Sequence, residues 1–145
     1  MENLNNSANL TKNRKTKKSL NGEILSLIDK YTTDTGFDIK RALKENKRLD
    51  YLYALAPLRE NLLEWYDFKE GGPLLQVGAD FGALTGLFLK RTGNVTVLDK
   101  SEESLSVVKA RYQENSGLRL ECGSLESYAE NPENQGRFAY VTVIG

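Results

Sequence analysis

The chain has 145 residues, balances 20 Lys and Arg against 20 Asp and Glu, and contains no histidine and one cysteine, Cys122. That excludes His-dependent nucleophilic catalysis, His-ligated metals, an internal disulfide and a multi-cysteine zinc site, so no metal ligand is assigned. The length suits one domain of ordinary size, neutrality argues against a dedicated nucleic-acid surface, and no apolar run suits a membrane span or secretory signal, so a cytoplasmic protein is expected.

The charge is unevenly placed. Lys12, Arg14, Lys15, Lys17 and Lys18 face only one acid, Glu2, in the first 18 residues, and apolar side chains are nearly missing there. Such a stretch cannot bury enough surface to offset its ordering entropy, so residues 1–20 are expected to be a disordered basic tail. From Asn21, a plausible N-cap, the residues Ile24, Leu27, Ile28 and Tyr31 fall on one helical stripe. Thr32–Gly36 reads as a turn. A second helix is expected over Asp38–Leu49, with Ile39, Ala42 and Leu43 on its apolar side. A third starts at Pro57 and carries Leu58, Leu62, Trp65 and Tyr66. Residues 21–69 thus form an all-helical lead-in, with Trp65, Tyr66 and Phe68 expected to pack between these helices and a sheet.

After Gly71-Gly72-Pro73 the pattern changes. Leu74–Val77 is a short apolar strand, followed by the turn Gly78-Ala-Asp-Phe-Gly82 and a helix over 83–92 that buries Leu84, Leu87 and Phe88 and stops at Gly93. Val95–Leu98 is the next strand. Ser101 caps a helix with Glu102 and Glu103 in its first turn and Leu105, Val108 and Tyr112 on its inner face. Leu118–Cys122 is a third strand, 124–130 a short helix and Phe138–Ile144 a fourth strand. Cys122 is expected to be a small buried apolar side chain. Alternating strands and helices give an α/β fold with a parallel sheet. The fourth strand is expected to be buried on both faces. Its outer edge would then be left unpaired at the end of the chain, so residues 70–145 read as the first four strands of a truncated Rossmann-like half-domain, with contact possible through that strand.

The chemistry sits in the first βα turn. Gly78 and Gly82 allow a tight turn and close backbone approach, and Asp99 closes the second strand, where it can accept hydrogen bonds from ribose hydroxyls. The dinucleotide fingerprint G-x-G-x-x-G is not met, because the run is G-A-D-F-G-A and Asp80 would repel a pyrophosphate. S-adenosylmethionine (SAM) has no phosphate and carries an ammonium and a sulfonium, which suit an acidic turn.

Residues 50–145 resemble the class I SAM-dependent methyltransferases in the strand–glycine turn, the acid closing the second strand and Glu121-Cys-Gly-Ser-Leu-Glu126 after the third. The segment Tyr51–Tyr66 resembles the lead-in of a bacterial subgroup associated with surface-polysaccharide glycosyltransferases, which implies a small-molecule or saccharide acceptor. The resemblance implies a cofactor site of Gln76, Gly78, Ala79, Asp80, Gly82, Asp99, Lys100, Ser124 and Leu125. Gly78, Ala79 and Gly82 would pack on the methionine portion, Asp99 would bind the ribose, and Lys100, Ser101, Ser124 and Leu125 would lie near the adenine. Gln76 and Ser124 stand where the family usually has acids. Acceptor-facing residues would come after the fourth strand, so no catalytic residue is assigned. Arg59, Glu60 and Glu64 form either a surface cluster or a cover over the pocket mouth. A non-catalytic α/β interaction module with a degenerate cofactor site, and an NAD-linked half-domain, stay open as alternatives.

Overall fold

A computed structural model describes residues 18–143. The expected tail lies outside these residues except for its last few, and Leu20 already belongs to the first helix. That helix, α1 (Leu20–Tyr31), buries Ile24, Leu27, Ile28 and Tyr31 as its periodicity requires. Its cap is Ser19 and not Asn21: the Ser19 hydroxyl accepts from the Gly22 N–H at 3.1 Å. Asn21 instead donates to Ser104 at 3.2 Å, tying the helix to a later one.

The turn after α1 sits inside a small antiparallel hairpin, β1 (Thr32–Thr33) with β2 (Gly36–Phe37). The helix expected over Asp38–Leu49 is shorter. It is α2 (Ile39–Glu45), capped by Asp38, and a separate α3 (Leu49–Leu55) comes after it. The break falls at Asn46, whose amide donates to the Ala42 carbonyl at 2.9 Å and to the Tyr31 hydroxyl at 3.0 Å. The Ala42 carbonyl also accepts the Asn46 backbone N–H at 3.1 Å, so Asn46 closes the helix as its C-cap, where the backbone leaves helical geometry.

The helix expected from Pro57 is a short 3-10 segment, Pro57–Leu62. Its apolar residues do not reach a core: Leu58 and Leu62 are exposed, and Trp65 is 76% exposed. Only Phe68 of the three aromatic residues is buried. It packs edge-on against Phe88 at 5.6 Å and Tyr140 at 5.2 Å between ring centres.

From Leu74 the structure matches the pattern closely. The elements are β3 (Leu74–Val77), α4 (Thr85–Thr92), β4 (Val95–Asp99), α5 (Glu102–Tyr112), β5 (Leu118–Cys122), α6 (Leu125–Glu130) and β6 (Tyr140–Val143). The described strands of the sheet are parallel in the order β5-β4-β3-β6. The chain moves outward through β4 and β5 and then returns to the other side of β3. That makes the gap between β3 and β6 the topological switch point.

One sheet face, bearing Leu74, Val95 and Val97, packs on Leu84 just before α4, on Phe88 of α4 and on Leu105 and Val108 of α5. The far side of α5 is also used. Val107, fully buried, joins Ile24, Leu27 and Ile28 of α1 with Tyr51, Ala54 and Leu55 of α3. The helices of the lead-in therefore rest on α5, while Phe68 near its end packs directly on the sheet side. The opposite sheet face is thinly covered at β6, where Val141 and Val143 are 58% and 68% exposed, so this strand is not buried on both faces. The Ile144 end of the expected fourth strand lies outside the described residues. No described helix is long and apolar enough to cross a membrane.

Removing a buried aromatic ring leaves a cavity, whereas an exposed edge valine has little to lose. Phe88→Ala is expected to cost about 3–5 kcal/mol, and Val141→Thr less than about 0.5 kcal/mol. Urea midpoints measured on both variants check the contrast.

Candidate functional site

The site is built around the turn from β3 to α4. Gly78 has φ +93° and Gly82 φ +72°, which glycine adopts without strain. Asp80 (φ 43°) and Phe81 (φ 55°) are also left-handed, which for two successive non-glycine residues costs of the order of 1–3 kcal/mol each. Bonds from several elements hold them there.

Beneath the turn lies Gln76, buried in β3. Its amide nitrogen donates to the carbonyls of Gly78 (2.9 Å) and Ala79 (3.3 Å), and its oxygen accepts from Thr85 (2.9 Å). A carboxylate could not make the two donations, so glutamine suits this position as a turn support. At the adjacent strand end, Asp99 accepts from the Ala79 N–H at 2.9 Å and from the Ser101 N–H at 2.8 Å. A carboxylate has about four acceptor positions, so Asp99 retains capacity for hydroxyl donors.

Above the turn, Arg111 of α5 donates to the Phe81 carbonyl at 2.7 Å and reaches the α3 carbonyls of Ala54 (3.3 Å) and Leu55 (3.5 Å). Tyr112 donates to the Gly82 carbonyl at 2.9 Å. Its ring occupies the space a side chain would need: a Cβ on Gly82 would lie 2.9 Å from Tyr112 Cε2, and one on Gly86 2.9 Å from the hydroxyl. Burial raises the Tyr112 phenol above its ordinary range. Asp80 pairs with Arg59 of the Pro57–Leu62 segment, and Arg59 lies 4.5 Å over the Tyr53 ring. That pairing is the main reason the guanidinium is raised further above its usual range.

A cleft of about 340 Å³ opens beyond the ends of β3 and β4, within the ~300–1,000 Å³ typical of small-molecule sites. Val77, Gly78, Leu98, Asp99, Lys100, Gly123, Leu125 and Glu126 line it. Glu126 is held below the usual carboxylate range, first by its own backbone N–H and then by Ser124 and Lys100. Of the sequence candidates, the cleft therefore gathers Gly78, Asp99, Lys100 and Leu125. Gln76 and Ala79 lie buried beneath it, Gly82 packs on Tyr112, and Asp80 is held by Arg59. Ser101 caps α5, and Ser124 caps α6 by accepting from the Ser127 N–H at 3.1 Å. Ser124 faces a second cavity of about 330 Å³ that Cys122 also lines. Cys122 is exposed and not buried, because it ends an edge strand at its open carboxyl end.

Sequence reasoning missed Arg111, Thr85 and the Tyr112 hydroxyl as turn supports. The spacing of Gly82 and Gly86, one helical turn apart, was the available signal that a bulky ring approaches there. Nothing local marks Arg111, whose partners lie 30 or more residues away.

The turn has the wrong chemistry for a pyrophosphate. The N–H groups of Gly78, Ala79, Gly82 and Ala83 are all engaged within the protein, and the cleft sets Asp99 and Glu126 against Lys100 alone. A ribose-bearing ligand without phosphate fits these groups.

No protein-family model matches the chain, and no curated protein is significantly similar to it. Among solved structures, it is similar to a Haemonchus contortus phosphoethanolamine N-methyltransferase 1 in complex with phosphoethanolamine and S-adenosylhomocysteine. That match has 17% identity and a TM-score of 0.46, and covers 72% of this chain and 21% of the other. A SAM-dependent methyltransferase from Aquifex aeolicus matches at 22% identity and a TM-score of 0.42, covering 61% of this chain and 48% of the other. The matched regions span about a fifth and about half of those two chains.

Two variants test the turn. Gln76→Glu is expected to lose about 1–3 kcal/mol at neutral pH. Burial against two carbonyls raises the new carboxyl's pKa, so the loss is full above that pKa and shrinks as pH falls toward about 4 and the acid protonates. Tyr112→Phe should cost about 1 kcal/mol below pH ~10. The raised phenol loses its contribution as pH climbs through its folded-state pKa, so the two proteins should converge in alkali. Denaturation midpoints across pH check both.

Proposed function

We propose that this chain is the SAM-binding part of a methyltransferase. One observation carries the reading: Asp99 and Gly78 meet in a phosphate-averse cleft at the carboxyl ends of β3 and β4. Bound there, SAM would supply an electrophilic methyl group on a sulfonium. Asp99 would accept from the ribose hydroxyls while its bond to the Ala79 N–H holds the turn, and Lys100 and Leu125 would border the adenine. The acidic lining lowers the cost of a cationic ligand near the turn. In such a site positioning does much of the catalytic work, by fixing the methyl in line with its acceptor. The saccharide acceptor rests on the Tyr51–Tyr66 resemblance alone. A cytoplasmic location agrees with the lone free thiol, Cys122.

A non-catalytic interaction module is the second reading, favoured by the internal engagement of Gln76 and Asp80. Calorimetric titration separates the two. S-adenosylhomocysteine should bind the chain, NAD should not, and Asp99→Ala should weaken binding by at least about tenfold, the loss of one charge-assisted hydrogen bond. Cys122→Ala should leave it within about twofold. No heat with S-adenosylhomocysteine at millimolar concentration would favour the interaction module.

A further inference from the structure

A cavity of about 310 Å³ opens between the lead-in, α4 and the end of α5, and it shares no lining residue with the cleft beside Asp99. Its volume falls at the lower end of the ~300–1,000 Å³ typical of small-molecule sites. Phe37, Ile39, Leu55 and Pro57 give it an apolar wall from the lead-in. The lining also carries three ionic side chains, Glu60, Lys90 and Arg111. Among the described residues none of the three belongs to an ion pair. Two cations therefore stand against one acid, and one positive charge is left uncompensated.

Arg111 shows where that charge is available. Its guanidinium donates only to neutral carbonyls, Nη1 to Ala54 and Phe81 and Nη2 to Leu55. These bonds do not use all of its N–H groups. Nε has no acceptor among the described residues, and it is not sealed from solvent. Nε and Nη2 share one edge of the guanidinium, and such an edge can pair with both oxygens of a carboxylate. An anionic head at Arg111 and Lys90 with an apolar body on the lead-in wall matches both halves of the lining.

We propose that this cavity is a binding site for a small monocarboxylate with an apolar body. Arg111 and Lys90 hold the carboxylate, and Phe37, Ile39, Leu55 and Pro57 cover the rest. The site is separate from the Asp99 cleft and does not depend on the cofactor reading. Its occupant would sit against Arg111 and Tyr112, the residues whose side chains bond the Phe81 and Gly82 carbonyls of the turn.

The test follows the backbone amides of the whole chain by NMR during titration with phenylacetate. The amides of Lys90, Arg111 and Tyr112 should shift, with a dissociation constant of about 1–10 mM. Arg111 also holds the turn, so its contact is tested by removing charge from the ligand. Phenylacetamide, the uncharged isostere, and acetate, which lacks the ring, should each bind at least about tenfold more weakly. Lys90 is exposed; Lys90→Met should weaken phenylacetate by about threefold, and Glu60→Gln should strengthen it by about twofold. Thermal melting checks that both variants are folded. Equal binding of phenylacetate and phenylacetamide, or of phenylacetate and acetate, overturns the proposal. So do shifts confined to Lys100 and Leu125 in the other cleft, no shifts at all, or unchanged affinity in both variants.

Discussion

Two consecutive left-handed residues, Asp80 and Phe81, set the terms for the rest of this structure. A backbone of that shape survives only where surrounding contacts over-determine it. Here they come from every side: Gln76 from below, Asp99 from the neighbouring strand, Arg111 and Tyr112 from α5, and Arg59 from the lead-in. Each holds a different atom of the same short turn. The strain and the bonds together leave the turn little freedom, which is the condition a binding site needs to be preorganised.

Helix α5 is what makes this possible. It packs Leu105 and Val108 on the sheet and Val107 on the lead-in, so it belongs to two apolar clusters at once. Arg111 and Tyr112 at its last turn reach the ligand turn from that double anchorage. Phe81 packs against the lead-in cluster, and Arg111 joins the Phe81 carbonyl to the end of α3. The lead-in is therefore mechanically part of the site: its core fixes the side of the turn opposite Asp99. That gives residues 20–62 a role beyond covering the sheet.

Charge placement explains which ligands the cleft can take. Asp80 would be repulsive on its own, but Arg59 neutralises it. Asp99 and Glu126 remain against Lys100, and the N–H groups of Gly78, Ala79, Gly82 and Ala83 serve the protein itself. The same backbone with free N–H groups and no acid would be a phosphate cradle. Side chains, rather than fold, make the difference here.

The strands from Leu74 onward, the cap at Ser101 and the helices α4 and α5 were legible in the sequence because they depend on local periodicity and capping. So was the meeting of Gly78 and Asp99, since a β3-α4-β4 crossover places those strand ends side by side. The lead-in was less legible. Asn46 capped a helix that was expected to continue, Trp65 met no core, and Cys122 was exposed because its strand became an edge. Each outcome turns on what neighbouring elements cover, which no window of sequence records. The sequence alone determined the α/β order and the residues able to make a nucleoside turn. Only tertiary structure decided that Tyr112 fills the space beside Gly82 and that Arg59 and Arg111 reach the turn, because packing brings those partners together across tens of residues, and that Gln76 turns its amide to the nearby Gly78 and Ala79 carbonyls, because the buried strand leaves it no water to bond instead.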